Sequence, residues 1–260
     1  MLLILQYHHI SKGLELNPGI CPGTVLEKHL RDLKHWGFGN FEFDALDSEM
    51  FARVHKAVLF TFDDGYKSVL DKAFPLLSKY GYKGAVFAVS GFLGKYSNWE
   101  VPFLPPLPHL DKNDLRFLYS QGWIIGSHSH THKDLTQLPE KELREEIITS
   151  KQALEDVIGA EVECFSYPYG KYNGRVKLVL MESGFRYAFK SSGFPKLPLN
   201  LLEIPRHSVY LIDISLRYKI DAFYTRFETI KAMISNGMAW LSPIYIRISQ
   251  ILKGHPGDED

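Results

Sequence analysis

The chain has 260 residues and carries 30 Lys plus Arg against 30 Asp plus Glu, so it has no formal net charge at neutral pH. Without a global field to attract a polyanion, nucleic acid is not an expected partner, and the two cysteines, Cys21 and Cys164, build neither a disulfide framework nor a zinc-thiolate site. No apolar stretch approaches the length needed to span a bilayer, and the chain length suits one large core better than two.

The opening MLLILQYHHIS is apolar only through Leu5 and has neither a basic start nor a small-residue cleavage site. It reads as a first strand, Leu2–Tyr7, rather than a signal peptide, which makes a cytoplasmic location the default expectation. A helix follows from Thr24 to Trp36, with Leu26, Leu30 and Leu33 on one face and Gly37 as its stop. Ala57–Phe62 is the next strand, Tyr66 to Tyr80 a helix closed by Gly81, and Gly84 to Ser90 another strand. Gly91 to His109, which contains FLPPLPHL, reads as a long loop able to wall or cover a site. Beyond it come a helix from Asp111 to Gln121, a strand from Trp123 to Gly126 and an amphipathic helix from Pro139 to Ile158 with Leu143, Ile147, Leu154 and Ile158 in register. Cys164 to Tyr167 is a strand, Asn173 to Ser183 a helix ended by Gly184, and Tyr187 to Lys190 and Glu203 to Tyr210 are strands. Repeated β-α units with polar motifs just after strands indicate an α/β barrel or open parallel sheet whose site lies at the carboxyl ends of the strands.

From Ile214 onward Ile220, Phe223, Phe227, Ile230 and Ile234 recur at helical spacing, with Ile244, Ile248 and Leu252 after Pro243. We therefore expect a catalytic domain over 1–212 and an amphipathic helical extension over 213–260. Basic residues predominate there, so peripheral contact with an anionic membrane is one reading; packing of the apolar face on the barrel or a second subunit explains the same spacing.

Thr61-Phe62-Asp63-Asp64-Gly65-Tyr66 places two adjacent carboxylates at the end of an apolar strand, where each must be solvated, paired or bound to a cation. Gly65 allows a bend that turns both toward one cavity, although Asp-Asp-Gly alone reads equally as a turn with a helix cap. Gly126-Ser127-His128-Ser129-His130-Thr131-His132 sets three histidines at alternate positions after a strand. His128 and His132 with one carboxylate make a two-histidine, one-acid set that accepts zinc with positions left for water and substrate. Phe165-Ser166-Tyr167-Pro168-Tyr169-Gly170 runs a strand into a rigid turn able to aim the Tyr169 amide at a developing oxyanion. Tyr7-His8-His9 closes the first strand, where a histidine serves either as a core hydrogen-bonder or, beside the other motifs, as an acid.

At these residues the chain resembles the NodB-homology polysaccharide deacetylases, whose pattern contains TFDDG, then HSxTH, then a Pro-Tyr-Gly turn on a distorted (β/α) barrel; the likeness runs over roughly 1–210. The resemblance implies that Asp63 is the catalytic base, that Asp64, His128 and His132 hold a metal, usually Zn²⁺, and that the Tyr169 amide stabilises the oxyanion. It further implies an N-acetylated amino sugar as substrate. Many members carry an Arg where this chain has Ser166, and that Arg orients the base; Arg206 is a candidate substitute. The YHHI and SYPYG forms look most like the poly-N-acetylglucosamine deacetylase subgroup, where the acid histidine is early in the chain, so His8 is the candidate acid and His207 the alternative. Two other readings stand beside this one: hydrolysis of an acetyl or formyl group on a lipid-linked or nucleotide-linked sugar, and a carbohydrate-binding module without catalysis.

Overall fold

Nine parallel strands and the helices between them are seen in a computed structural model that describes residues 2–13, 19–41, 56–97, 106–191 and 200–210, with Asp213 and Leu216. In chain order the strands are β1 (Leu2–Tyr7), β2 (His9–Ser11), β3 (Ile20–Pro22), β4 (Gly39–Asn40), β5 (Ala57–Phe62), β6 (Gly84–Ala88), β7 (Ile124–Ser127), β8 (Cys164–Ser166), β9 (Tyr187–Lys190), β10 (Ile204–Pro205) and β11 (His207–Ser208). The pair β2 and β3 forms a separate two-stranded sheet. The main sheet runs β10-β9-β8-β7-β6-β5-β1-β11, with β4 added beside β5. Its two ends are one stretch of chain, because only Arg206 separates β10, paired with β9, from β11, paired with β1. The sheet thus curls into a nearly closed barrel, as the resemblance implied.

Alternation along the strands sorts residues into two layers. Ile4, Leu59, Ala85, Phe87, Cys164, Tyr187, Phe189 and Ile204 fill the barrel. Leu3, Leu5, Tyr7, Val58, Phe60, Phe62, Val86 and Phe165 face the helices. Burying each of the large side chains is worth roughly 1.5–3 kcal/mol relative to exposure. The helices are α1 (Gly23–His35), α2 (Phe74–Lys79), α3 (Lys112–Ser120), α4 (Glu140–Ile158) and α5 (Gly174–Glu182).

Most expected elements recur within two or three residues, and three differ for identifiable reasons. The helix expected from Tyr66 to Tyr80 is broken: Val69–Ala73 is a π-type turn in which Phe74 N–H bonds to Val69 O, and α2 begins only at Phe74. Pro75 has no N–H for the regular ladder, so the chain slips one residue there. The expected strand from Glu203 to Tyr210 is two two-residue strands that change partner at Arg206. The long loop after β6 is anchored at both described ends, by a short 3₁₀ turn at Ser90–Phe92 and by bridges from Tyr96 to Pro108 and from Tyr66 to His109. The expected C-terminal helices lie outside the described residues. Asp213 and Leu216, just past the expected boundary at 212, are fully buried, and Leu216 belongs to the outer layer of the core. Among the described residues no helix is long and apolar enough to cross a membrane.

Candidate active site

The inward phase of the strands turns polar at their carboxyl ends, where Gln6, Thr61, Asp63, Ser166 and Arg206 converge, all 2% exposed or less. Arg206 donates from Nη1 to Asp63 Oδ1 and from Nη2 to Asp63 Oδ2, each at 2.7 Å. It also donates to Thr61 Oγ1 at 3.2 Å, to Ser166 Oγ at 2.8 Å and, from Nε, to Lys190 O at 3.4 Å, and the guanidinium lies over the rings of Phe87 and Phe189. Oδ2 of Asp63 also accepts from Gln6 Nε2 at 2.8 Å and Ser166 Oγ at 3.0 Å. Oδ2 therefore has three donors, and Oδ1 is the less committed oxygen. Burial opposes the charge on Asp63, but the Arg206 guanidinium and the nearby histidines outweigh it and hold the carboxyl far below the usual carboxylate range. Arg206, named from the sequence as a candidate substitute for the arginine missing at Ser166, thus reaches the carboxylate from the junction of β10 and β11, with only β1 between β11 and β5.

Asp64 turns the opposite way. Its φ is 67° and that of Gly65 is 69°, so two successive left-handed residues swing the carboxylate toward the histidine turn. Asp64 Oδ1 lies 3.4 Å from Nε2 of both His128 and His132, and ligand atoms of the three residues all stand within 4.8 Å of one another. His128 is oriented by Nδ1, 2.8 Å from Ser166 O; the carbonyl can only accept, so Nδ1 carries the proton and Nε2 presents a lone pair. Ser129 and His132 are left-handed too, with φ of 66° and 59°, and Ser129 Oγ accepts the His132 N–H at 3.0 Å. With Tyr169 at 58°, these are the non-glycine residues of positive φ among the described residues, and every one lies in this site. Such clustering is how backbone strain marks a functional centre.

Burial raises the Asp64 carboxyl, yet the adjacent imidazoles of His128 and His132 reverse this and hold it well below the usual range. The two imidazoles then part. Burial alone would lower His128, but the carboxylates of Asp63 and Asp64 more than offset it; burial carries His132 down to about 3, because Asp64 does not compensate.

A divalent cation fits these residues. Asp64 Oδ1 is buried and has no hydrogen-bond donor among the described residues, which is costly for a carboxylate oxygen unless a cation completes it. Two ligands each about 2.1 Å from a tetrahedral zinc stand about 3.4 Å apart, the spacing found from Asp64 Oδ1 to each Nε2.

His8 is half-buried and follows Tyr7, whose carbonyl accepts the Asp63 N–H at 2.9 Å. Its imidazole lies near enough to act electrostatically on Asp63, Asp64 and His132. His207 pairs with Leu5, so alternation places it on the opposite face of its strand from Arg206, toward the helical layer. Tyr169 lies in the turn after β8 with its ring 4.7 Å from that of His132. Sequence reasoning missed Gln6 and Glu146. Glu146, buried on α4, accepts the N–H groups of His130 at 3.0 Å and Thr131 at 2.8 Å and the Thr131 hydroxyl, and so shapes the histidine turn. Both carried a signal: Gln6 interrupts an apolar strand, and Glu146 falls one helical turn after Leu143 on the stripe that faces the core.

Residues 52–188, more than half of the chain, match the family described as Polysaccharide deacetylase, and the chain belongs to that family of deacetylase enzymes. It is 28% identical over 188 residues to YxkH of Bacillus subtilis (strain 168), covering 71% of this chain and 62% of that protein. It is 24% identical over 187 residues to the poly-beta-1,6-N-acetyl-D-glucosamine N-deacetylase of Staphylococcus aureus (strain COL), covering 67% and 61%. The chain thus spans less than two thirds of the length of these relatives. Among solved structures, IcaB from Ammonifex degensii shares the fold with a TM-score of 0.70 at 22% identity, covering 82% of this chain and 93% of that one. The Streptococcus pyogenes deacetylase PplD in complex with acetate does so at 0.69 and 21%, covering 80% and 92%.

Proposed function

We propose that the protein is a metal-dependent hydrolase that removes the N-acetyl group of an amino sugar in a polysaccharide or glycoconjugate. The observation that carries this reading is Asp64 Oδ1, buried, without a hydrogen-bond donor and 3.4 Å from two imidazole nitrogens, beside a second carboxylate fixed by an arginine. A cation such as Zn²⁺ held by Asp64, His128 and His132 supplies a Lewis acid for the acetamide carbonyl and acidifies water.

The chain's own residues do the rest. Asp63 takes a proton from the attacking water on Oδ1, the oxygen with one donor, while Arg206, Gln6 and Ser166 keep the carboxylate aimed. The Tyr169 N–H stabilises negative charge on the carbonyl oxygen as the carbon becomes tetrahedral. His8 gives a proton to the sugar nitrogen as the carbon–nitrogen bond breaks. Amide and water thereby become acetate and a free amine. The S. aureus relative acts on poly-beta-1,6-N-acetyl-D-glucosamine by its name, which makes that polymer the first substrate to test.

Acetate release from this polymer and from chitin oligomers, measured with and without chelation and zinc re-addition, tests the proposal. Release that depends on zinc and vanishes in Asp63→Asn supports it. Release that survives in Asp63→Asn, or no release from any N-acetylated sugar by the zinc-loaded protein, overturns it.

A further inference from the structure

Between β6 and α3 the two described ends of the chain segment rest on the two turns that carry the proposed ligands. At the first end, Ser90 N–H donates to Ser129 O at 3.2 Å, Gly91 N–H donates to His130 O at 2.9 Å, and Ser90 Oγ lies 2.8 Å from His130 Nδ1. The approach is so close that a Cβ on Gly91 would lie 2.6 Å from His130 O. At the second end, Lys67 N–H donates to Pro108 O and Leu110 N–H to Gly65 O, both at 2.8 Å. Between those two bonds, His109 Nδ1 lies 2.9 Å from Asp64 O. A carbonyl only accepts, so Nδ1 is the protonated nitrogen.

The donor is held firmly. His109 is 4% exposed, with its ring 5.0 Å from that of Tyr66 and 5.7 Å from that of Phe92. Two residues after it, Asp111 caps α3 in a reciprocal box with Asp114, and Asp114 pairs with Lys67 at 2.6 Å. The acceptor is the one that needs holding. Asp64 has a side chain in the left-handed region, a conformation that surrounding contacts must impose. Rotation of its peptide would tilt the Cα–Cβ bond and carry Oδ1 away from the two Nε2 atoms.

We propose that His109 is a positioning residue of the metal centre, fixing the Asp64 peptide so that its carboxylate stays in register with His128 and His132. The proposal rests on the reading of those three residues as metal ligands. Partners of this kind, bonded to a ligand rather than to the metal, typically change metal affinity by about 10–100-fold.

Two substitutions separate the hydrogen bond from packing. His109→Phe keeps a ring between Tyr66 and Phe92 and removes the donor; His109→Asn keeps an N–H at the position of Nδ1 and removes the ring. Zinc alone is titrated against a chromogenic chelator with each protein. The expected result is affinity weakened on the order of 10-fold or more in His109→Phe and within a few-fold of wild type in His109→Asn. Wild-type affinity in both variants, or greater loss in His109→Asn, overturns the role while leaving the site intact. A wild type that binds no zinc overturns the ligand assignment and the role with it. Should His109→Phe fail to fold, amide exchange in the wild type decides: coupling is reciprocal, so zinc must slow exchange at Lys67 and Leu110, and unchanged rates overturn the proposal.

Discussion

Arg206 and Asp63 form a buried, two-pronged ion pair that spans β1, with both contacts at 2.7 Å and neither side chain more than 1% exposed. A lysine at 206 would keep the charge but could not bridge both oxygens. Arg206→Lys should lower kcat on the order of 10–100-fold with little change in KM, since the carboxylate loses its aim rather than the site its substrate. Arg206→Met leaves Asp63 charged and short of its main partner, and should cost about 3–5 kcal/mol of unfolding free energy. Denaturant unfolding and steady-state kinetics check the two.

Asp63 and His128 should separate chemistry from metal retention. Asp63→Asn is expected to keep bound zinc and lose on the order of 10²–10⁴ in turnover. His128→Ala should lose both. Elemental analysis after equal zinc exposure and dialysis, beside an acetate-release assay, reads the difference.

Glu146 should govern the histidine turn. Glu146→Ala leaves the N–H groups of His130 and Thr131 without their acceptor, a loss of about 1–3 kcal/mol in stability and about 10-fold in zinc affinity. Glu146→Gln, which keeps a carbonyl oxygen there, should lose less of each. Thermal melting with and without zinc distinguishes them.

His9 makes the fold acid-sensitive. Burial, and then the charge of Lys72, lower it to about 4, whereas an unfolded histidine titrates near 6.5. Between those values the unfolded chain binds more protons, so stability rises with pH; the contribution is complete above about 6.5 and is lost as pH falls toward 4. Allowing for residual solvent contact, the swing is about 2 kcal/mol. The stability difference between wild type and His9→Gln should therefore shrink from pH 7 to pH 4.5, and a constant difference would rule this out.

The sequence made the barrel legible because its strands are short apolar runs and its helices carry leucines at helical spacing. The candidate site was legible for a different reason: Asp63-Asp64 and the alternating histidines are polar groups that an apolar strand end cannot bury without partners. Three things were hidden. Pro75 sits inside a leucine-rich helical pattern, and periodicity alone does not reveal the slip that its missing N–H forces. The change of strand partner at Arg206 depends on barrel closure, a property of the whole sheet. His109 acts through one imidazole N–H on a backbone carbonyl, and nothing in FLPPLPHL distinguishes such a histidine from any other loop residue.

The two short strands on either side of Arg206 tie folding order to competence. Asp63 and Arg206 are 143 residues apart, and the segment that supplies the guanidinium also joins β9 to β1. A nascent chain with the first two hundred residues already made would hold Asp63, Asp64 and both outer histidines, yet its barrel would be open and the carboxylate uncompensated. The bidentate pair that fixes Asp63 therefore requires the closing strands to be docked.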